Sequence, residues 1–85
     1  MTPGQQAVVN ALRGGAKLYR EVSHYGKPYT WMLLADGEEK FVNPRVFVAL
    51  RDRDTIIPVE TTYFNSPSTG RGVTHLYRLA DLHLA

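Results

Sequence analysis

The sequence predicts a small α+β domain with the element order helix, β-hairpin, helix, β-hairpin. Two proline-containing helix starts, Thr2-Pro3 and Asn43-Pro44, indicate where the helices begin. Each helix is followed by β-branched and aromatic segments that turn-forming residues interrupt. With 85 residues, of which 44% are hydrophobic and 21% charged, the chain is expected to fold as one domain around a modest core.

The first helix is predicted over residues 3–13. Thr2 can accept a hydrogen bond from the first turn, Pro3 suits the first helical position, and Gln5 occupies the position that completes a capping box. Gly14-Gly15 is predicted to end the helix, because glycine adopts the left-handed conformation without steric cost. The apolar stripe of this helix consists of Val8, Val9 and Leu12.

Residues 16–42 change to a strand-like period and predict a small antiparallel hairpin or meander. The segment YTWMLLA reads as a strand, and Asp36-Gly37 is a strong hairpin-turn pair before a short return strand over residues 38–42. Aromatic residues are concentrated here: Tyr19, Tyr25, Tyr29 and Trp31. Packing in the core is the favoured interpretation, because a fold of this size needs bulky rings inside. An exposed surface that stacks bases or anchors a protein is the alternative.

The second helix is predicted over residues 44–54, with Asn43 as its N-cap. At 100° per residue, Val46, Phe47 and Leu50 form the face that turns to the core. The opposite face carries Arg45, Val48, Ala49 and Asp52, and Arg51 and Arg53 flank it.

Two further strands, over residues 57–64 and 73–80, form the second hairpin. Residues 65–72, NSPSTGRG, predict a flexible loop between them, with Arg71 at its tip between two glycines. The last five residues, 81–85, are too few for a dimerisation helix. Pairing through the edge of the first hairpin would instead allow a homodimer.

Composition and motifs exclude several classes of function. The net charge of +2 and the pI of about 9.2 permit phosphate contacts without demanding them. The absence of cysteine excludes disulfides and thiolate zinc sites and favours a reducing, cytoplasmic setting. No apolar run approaches the ~20 residues of a membrane span, and MTPGQQ does not resemble a signal peptide. Because no catalytic, metal-binding or nucleotide-binding pattern occurs, we expect neither an enzyme nor a cofactor.

The order of elements resembles the winged helix-turn-helix family, in which a recognition helix leads directly into a two-stranded wing. Residues Asn43–Asp54 followed by Ile56–Val59 carry the resemblance, together with Tyr77–Ala80 in the closing strand and TPGQQAVVNALRGG at the first helix. The chain departs from the family because strands replace the usual second helix over residues 29–42. The order is also similar to that of short bacterial proteins that include a toxin family described as topoisomerase inhibitors.

The resemblance implies a transcriptional regulator that binds double-stranded DNA, with helix 44–54 in the major groove and the wing 65–72 in the minor groove. Arg45 would reach guanine or phosphate, and Val48 and Ala49 would contact thymine methyl groups. Arg51 would enter the major groove or pair with phosphates, and Arg53 would pair with phosphates. Arg71 would enter the minor groove. Hydroxyl groups at the tip of the wing would bond phosphates. Together, the candidate DNA-binding residues are Arg45, Val48, Ala49, Arg51, Arg53, Ser68, Thr69 and Arg71.

A second basic patch of Arg13, Lys17 and Arg20 is possible if these residues lie on the same side of the fold. For all these residues, a solvated surface helix or an ordinary loop is the simpler interpretation. The alternative function is a phage- or plasmid-type protein that binds and inhibits a nucleic-acid-handling complex through protein contacts. The weak net charge, the acids Asp52 and Asp54 in the helix, and the exposed Val48 and Ala49 motivate this alternative.

Overall fold

The computed structural model describes residues 1–83, with only the backbone of His83, and has an α+β fold. In chain order the elements are α1 (Pro3–Arg13), β1 (Lys17–Ser23), β2 (Tyr29–Leu33), β3 (Glu39–Phe41), α2 (Pro44–Asp52), β4 (Ile56–Ser66), β5 (Gly70–Leu79) and α3 (Ala80–His83). The predicted class and order are confirmed, with a three-stranded meander as the first β unit. The prediction that residues 81–85 are too short for a dimerisation helix falls partly outside the described residues.

All five strands form one antiparallel sheet in the order β3-β2-β1-β5-β4. Pairing of β1 with β5, from Leu18↔Tyr77 to Ser23↔Gly72, joins the first meander to the second hairpin. The second hairpin is therefore an extension of the main sheet. This long-range pairing is the main feature of the architecture that the order of elements alone does not predict.

Helices α1 and α2 pack side by side on one face of the sheet, which we call the α2 face. Phe47 and Leu50 of α2 and Leu18 of β1 are fully buried between the layers. The α1 stripe contributes Val8, Val9 and Leu12 to the same core. Neither α1 nor α2 covers the opposite face of the sheet, which we call the outer face. No helix in the described part of the chain is long and apolar enough to cross a bilayer.

The helix boundaries follow from local capping chemistry. The Oγ1 of Thr2 accepts from the Gln5 N–H at 3.2 Å, and the Oδ1 of Asn43 accepts from the Arg45 N–H at 2.9 Å, so both predicted N-caps are confirmed. The side-chain oxygen of Gln5 is buried without a hydrogen-bond partner. This oxygen therefore does not close the predicted capping box.

The second helix ends at Asp52, two residues before the predicted end. The Thr55 N–H bonds the Leu50 carbonyl and the Asp54 N–H bonds the Arg51 carbonyl, each at 3.0 Å, which is the bond pattern of a Schellman end. Asp54 takes the left-handed position with φ 56°. The prediction of a helix over 44–54 is therefore wrong at its C-terminal end. Arg53 is the C-cap, and Asp54 lies beyond the helix.

Of the two predicted hairpin turns, the first is confirmed and the second is wrong. Asp36-Gly37 forms the predicted turn between β2 and β3, with Gly37 at φ 91°. The predicted loop over residues 65–72 is wrong, because β4 continues to Ser66 and β5 begins at Gly70. Only residues 67–69 are left in the turn, and cross-strand pairing of Asn65 with Arg71 accounts for the difference.

Candidate nucleic-acid interface

Helix α2 has one accessible side because its other side packs in the core. Phe47 and Leu50 are fully buried, and Val46 packs close to Gly4 of α1. On the outward side, Arg45 is exposed, whereas Val48 and Ala49 are half-buried. With Pro44, these residues line one shallow, open surface. The structure thus brings together three of the residues that the sequence assigns to base contacts.

Two arginines from different elements converge on the ring of Phe47. The guanidinium carbon of Arg20, on β1, lies 4.7 Å from the ring centroid, and that of Arg51, on α2, lies 5.6 Å from it. Both distances are within the range of cation–π attraction. The Nη1 of Arg20 is buried and has no hydrogen-bond partner. The ring of Phe47 therefore holds two positive groups at the boundary between α2 and the sheet.

Side chains of β5 continue this surface away from α2. The ring of Tyr77 meets that of Phe47 edge-on at 4.8 Å, and the His75 ring lies 6.4 Å from that of Tyr77. The Nδ1 of His75 is 2.9 Å from the Oγ1 of Thr61 on β4. Since side chains alternate along a strand, residues 71, 73, 75 and 77 all project on the α2 face.

Arg71 therefore lies on the same face as Arg20 and Arg51. Arg20 is directly opposite His75 in the β1–β5 register. Arg71 is four residues from His75 along β5, which is about 13 Å at the rise of an extended strand. Arg71 is exposed. The α2 face thus carries guanidinium groups beside α2 and at the far end of the sheet.

The tip of the second hairpin is tied to the rest of the sheet. The Tyr25 N–H donates to the Thr69 carbonyl at 3.0 Å, and the His24 N–H donates to the Arg71 carbonyl at 2.9 Å. Ser68 is engaged locally, with its Oγ 3.1 Å from that of Ser66. The prediction of a free loop around Arg71, Ser68 and Thr69 is corrected by these contacts. Arg71 projects from a paired strand, so its position is set by the sheet.

The predicted basic patch of Arg13, Lys17 and Arg20 does not form. Arg13 at the end of α1 makes a salt bridge to Asp81 at 2.7 Å. Lys17 and Arg20 are three residues apart on β1, so they project on opposite faces of the sheet. Only Arg20 joins the α2 face. The alternation of Leu18, Arg20 and Val22 with their neighbours was the sequence feature that pointed to this division.

Acidic groups moderate the charge around α2. The Oδ1 of Asp52 is 3.4 Å from the Nε of Arg51, and both side chains are largely exposed. Arg53 and Asp54 follow at the exposed end of the helix. Arg53 is the C-cap residue, and its N–H bonds the Ala49 carbonyl at 3.3 Å. The net positive character of this face therefore depends chiefly on Arg20, Arg45 and Arg71.

The favoured prediction that the aromatic residues of the first meander fill the core is wrong, because Tyr19, Tyr29 and Trp31 lie on the outer face and Tyr25 is 79% exposed. Tyr19 and Trp31 stack across β1 and β2 with ring centroids 5.3 Å apart, and Tyr29 and Trp31 stack at 5.5 Å. Phe41 extends the row from β3, at 5.9 Å from Tyr29. Because the rings are stacked on one another, much of their flat surface is already in contact. This arrangement favours cross-strand stabilisation over base stacking.

No protein-family model matches the sequence, and neither a curated protein nor a solved structure matches the chain. The functional argument therefore depends on the geometry of the α2 face and on the chemistry of its side chains.

Proposed function

We propose that this chain is a small winged-helix-like protein that binds double-stranded DNA, a distant member of the winged helix-turn-helix family. It would act as a transcriptional regulator in the cytoplasm. The observation that carries the proposal is the shared placement of α2, Arg20, Arg51 and Arg71 on one face of the sheet. A polyanion that lies on this face meets positive groups both beside α2 and at the end of the β4–β5 hairpin.

The duplex would lie against the side of α2 and the part of the same sheet face that the helices leave exposed. In this arrangement the outward side of α2 faces the major groove, with Arg45 toward base edges and Val48 and Ala49 toward thymine methyl groups. Arg51 and Arg53 lie toward the sugar–phosphate backbone or the groove edge. Phosphate contacts would supply most of the affinity, as in other DNA-binding proteins.

Arg71 would contact the adjacent minor groove or its phosphates from a fixed position. Its strand is paired on both sides, with β4 and with β1. A guanidinium held in place loses less conformational freedom on binding than one on a mobile loop. Arg20 joins the proposed set, because its half-buried side chain places a positive charge beside α2 on the same face.

The direct test is a binding titration with mixed-sequence duplex DNA at several salt concentrations. The proposal predicts that the logarithm of the binding constant falls linearly with the logarithm of salt concentration. A flat response to salt, or no binding at low salt, would remove the proposal. Duplex DNA is the probe because the target sequence is not defined by the chain.

The second candidate is a phage- or plasmid-type inhibitor that binds a nucleic-acid-handling protein complex of its host. The apolar surface of Pro44, Val48 and Ala49 on α2 favours it, and so does the pairing of Arg51 with Asp52. A pull-down from nuclease-treated lysate, repeated with Val48→Glu and with Arg71→Ala, separates the two functions. A protein partner would be lost with Val48→Glu and retained with Arg71→Ala. If proteins are retained only from lysate that has not been treated with nuclease, this candidate is excluded.

A further inference from the structure

We propose that two copies of this chain form a homodimer by antiparallel pairing of their β4 strands, centred on Tyr63. β4 spans 11 residues at one edge of the sheet, whereas β3 at the other edge spans only 3. An edge strand offers unpaired N–H and C=O groups to any second strand. The length of β4 makes it the edge better suited to a second copy.

The register of the sheet identifies which backbone groups of β4 point outward. The His24 N–H, next to the end of β1, donates to the Arg71 carbonyl of β5. Because bonded and unbonded pairs alternate along antiparallel strands, residues 73, 75 and 77 of β5 bond β1, and residues 72, 74 and 76 bond β4. The β4 residues opposite 71, 73 and 75 therefore have no bond to β5. These residues are Thr61, Tyr63 and Asn65. Their N–H and C=O groups point to the open edge.

An independent bond at the other end of β4 supports this assignment. The Ala80 N–H bonds the Thr55 carbonyl at 3.0 Å, so the next pair, Ile56↔Leu79, is not hydrogen-bonded. Two residues further, Pro58 is opposite Tyr77, which bonds β1. The backbone nitrogen of Pro58, which carries no hydrogen, therefore faces the open edge. This is the position that proline tolerates in a sheet. The bulge between Pro58 and Glu60 follows.

The devices that protect sheet edges are confined to the first part of β4. Pro58 and the bulge distort the edge there. From residue 60 to residue 66, ETTYFNS, the edge has one charged residue, Glu60, and neither proline nor lysine. The Tyr63 side chain is 79% exposed. This stretch is therefore an open and nearly uncharged template for pairing.

Only a register centred on Tyr63 uses all three outward residues. It pairs Tyr63 with Tyr63 of the second copy, and Thr61 with Asn65 in both directions, so each pair exchanges both hydrogen bonds. It also sets Glu60 opposite Ser66, so no like charges face each other. A register centred on Thr61 would meet the Pro58 bulge, and one centred on Asn65 would meet Pro67. Neither alternative forms a continuous ladder.

The symmetry of this pairing has a consequence for the α2 face. The two-fold axis is perpendicular to the joined sheet, so the α2 faces of both copies lie on the same side. Arginines of both copies would then present one continuous basic surface. Dimerisation itself does not depend on DNA binding and is measured in its absence, so the two proposals fail separately.

Cysteine crosslinking tests the register. The chain has no cysteine, so a single introduced thiol reports one contact. Tyr63→Cys should form a disulfide-linked dimer under mild oxidation, because directly opposite Cα atoms lie at about 5.5 Å, within the reach of a disulfide. Asn65→Cys, the matched exposed control, should not, because its symmetry mate is displaced by about 13 Å along the strand. Equal crosslinking of both variants, or none of Tyr63→Cys, overturns the proposal.

Sedimentation at high micromolar concentration tests the backbone pairing without a crosslink. The unmodified chain should sediment as a dimer, and its Thr61, Tyr63 and Asn65 amide protons should exchange slowly. Tyr63→Pro removes the central N–H and should be monomeric with fast exchange at residues 61 and 65, whereas Tyr63→Thr should remain a dimer. A monomeric unmodified chain, or a Tyr63→Pro variant that still dimerises, contradicts the pairing.

Discussion

The guanidinium carbon of Arg20 lies 4.7 Å from the ring centroid of Phe47, although the two residues belong to different layers of the fold. Phe47 is fully buried under α2, and Arg20 is on the central strand of the sheet. The contact fixes a positive group beside the helix that would enter the major groove. The position of this charge therefore depends on the packing of α2 against the sheet.

Replacing Arg20 with alanine should weaken binding of duplex DNA by about tenfold and lower the slope of the salt dependence by about one. The reason is the loss of one phosphate contact. Arg20→Lys should keep the salt slope, because it keeps the charge. Arg13→Ala is the control, because Arg13, at the C-terminal end of α1, is engaged in a salt bridge with Asp81. Titrations monitored by fluorescence anisotropy measure all three, and an unchanged slope for Arg20→Ala would contradict this role.

Phe47→Ala should lower the free energy of unfolding by about 3–5 kcal/mol, because it empties a fully buried site. Phe41→Ala should cost less than about 1 kcal/mol, since Phe41 is 60% exposed on the outer face. Urea denaturation of the two variants makes a matched comparison of the same substitution. Similar losses for both would show that the core is not where the structure puts it.

Asp54→Gly should raise the free energy of unfolding by ~0.5–1 kcal/mol, because Asp54 has φ 56° and glycine adopts this conformation without strain. The variant should also bind DNA more tightly, because it removes an acid next to Arg53. Asp54→Asn separates the two effects, since asparagine removes the charge and tolerates the left-handed region. It should therefore improve binding with a smaller gain in stability. A loss of stability in Asp54→Gly would rule out the proposed strain.

Trp31→Ala should lower stability by about 2–3 kcal/mol, because it removes two stacked contacts from the outer face. Its affinity for duplex DNA should remain within about twofold of the unmodified chain, a change of under 0.5 kcal/mol. Trp31 is the only tryptophan, so its emission reports the outer face directly. Added duplex should leave that emission unchanged. Quenching by single-stranded oligonucleotide would show instead that these rings stack bases.

Local chemistry in the sequence predicted the helices and the first turn well. Thr2 and Asn43 mark the helix starts, and Gly15 takes the left-handed position that ends α1. The end of α2 was missed because Asp54, a residue without glycine's freedom, takes the equivalent position. The short turn of the second hairpin was missed because loop-forming residues at 65–72 are held in strands by cross-strand pairing and by contacts with residues 24 and 25.

The arrangement of the candidate site was less predictable because it depends on long-range contacts. Arg20 and His75 are neighbours only through the β1–β5 pairing, which no local pattern indicates. Arg20 was assigned to a patch with Lys17, although strand alternation separates the two. The aromatic rings were expected in the core, but the sheet has a second face that neither α1 nor α2 covers. Arg45, Val48 and Ala49 were predicted together correctly, because they share one side of a single helix.

The most direct measurement compares the salt dependence of DNA binding in two triple variants of equal charge. Arg20→Ala/Arg51→Ala/Arg71→Ala removes positive groups from the α2 face. Arg13→Ala/Lys17→Ala/Arg78→Ala removes as many from the C-terminal end of α1 and from the outer face of the sheet. The first variant should reduce the slope of log binding constant against log salt by about three, and the second should keep the slope of the unmodified chain. Equal slopes for the two variants would contradict the assignment of DNA binding to the α2 face.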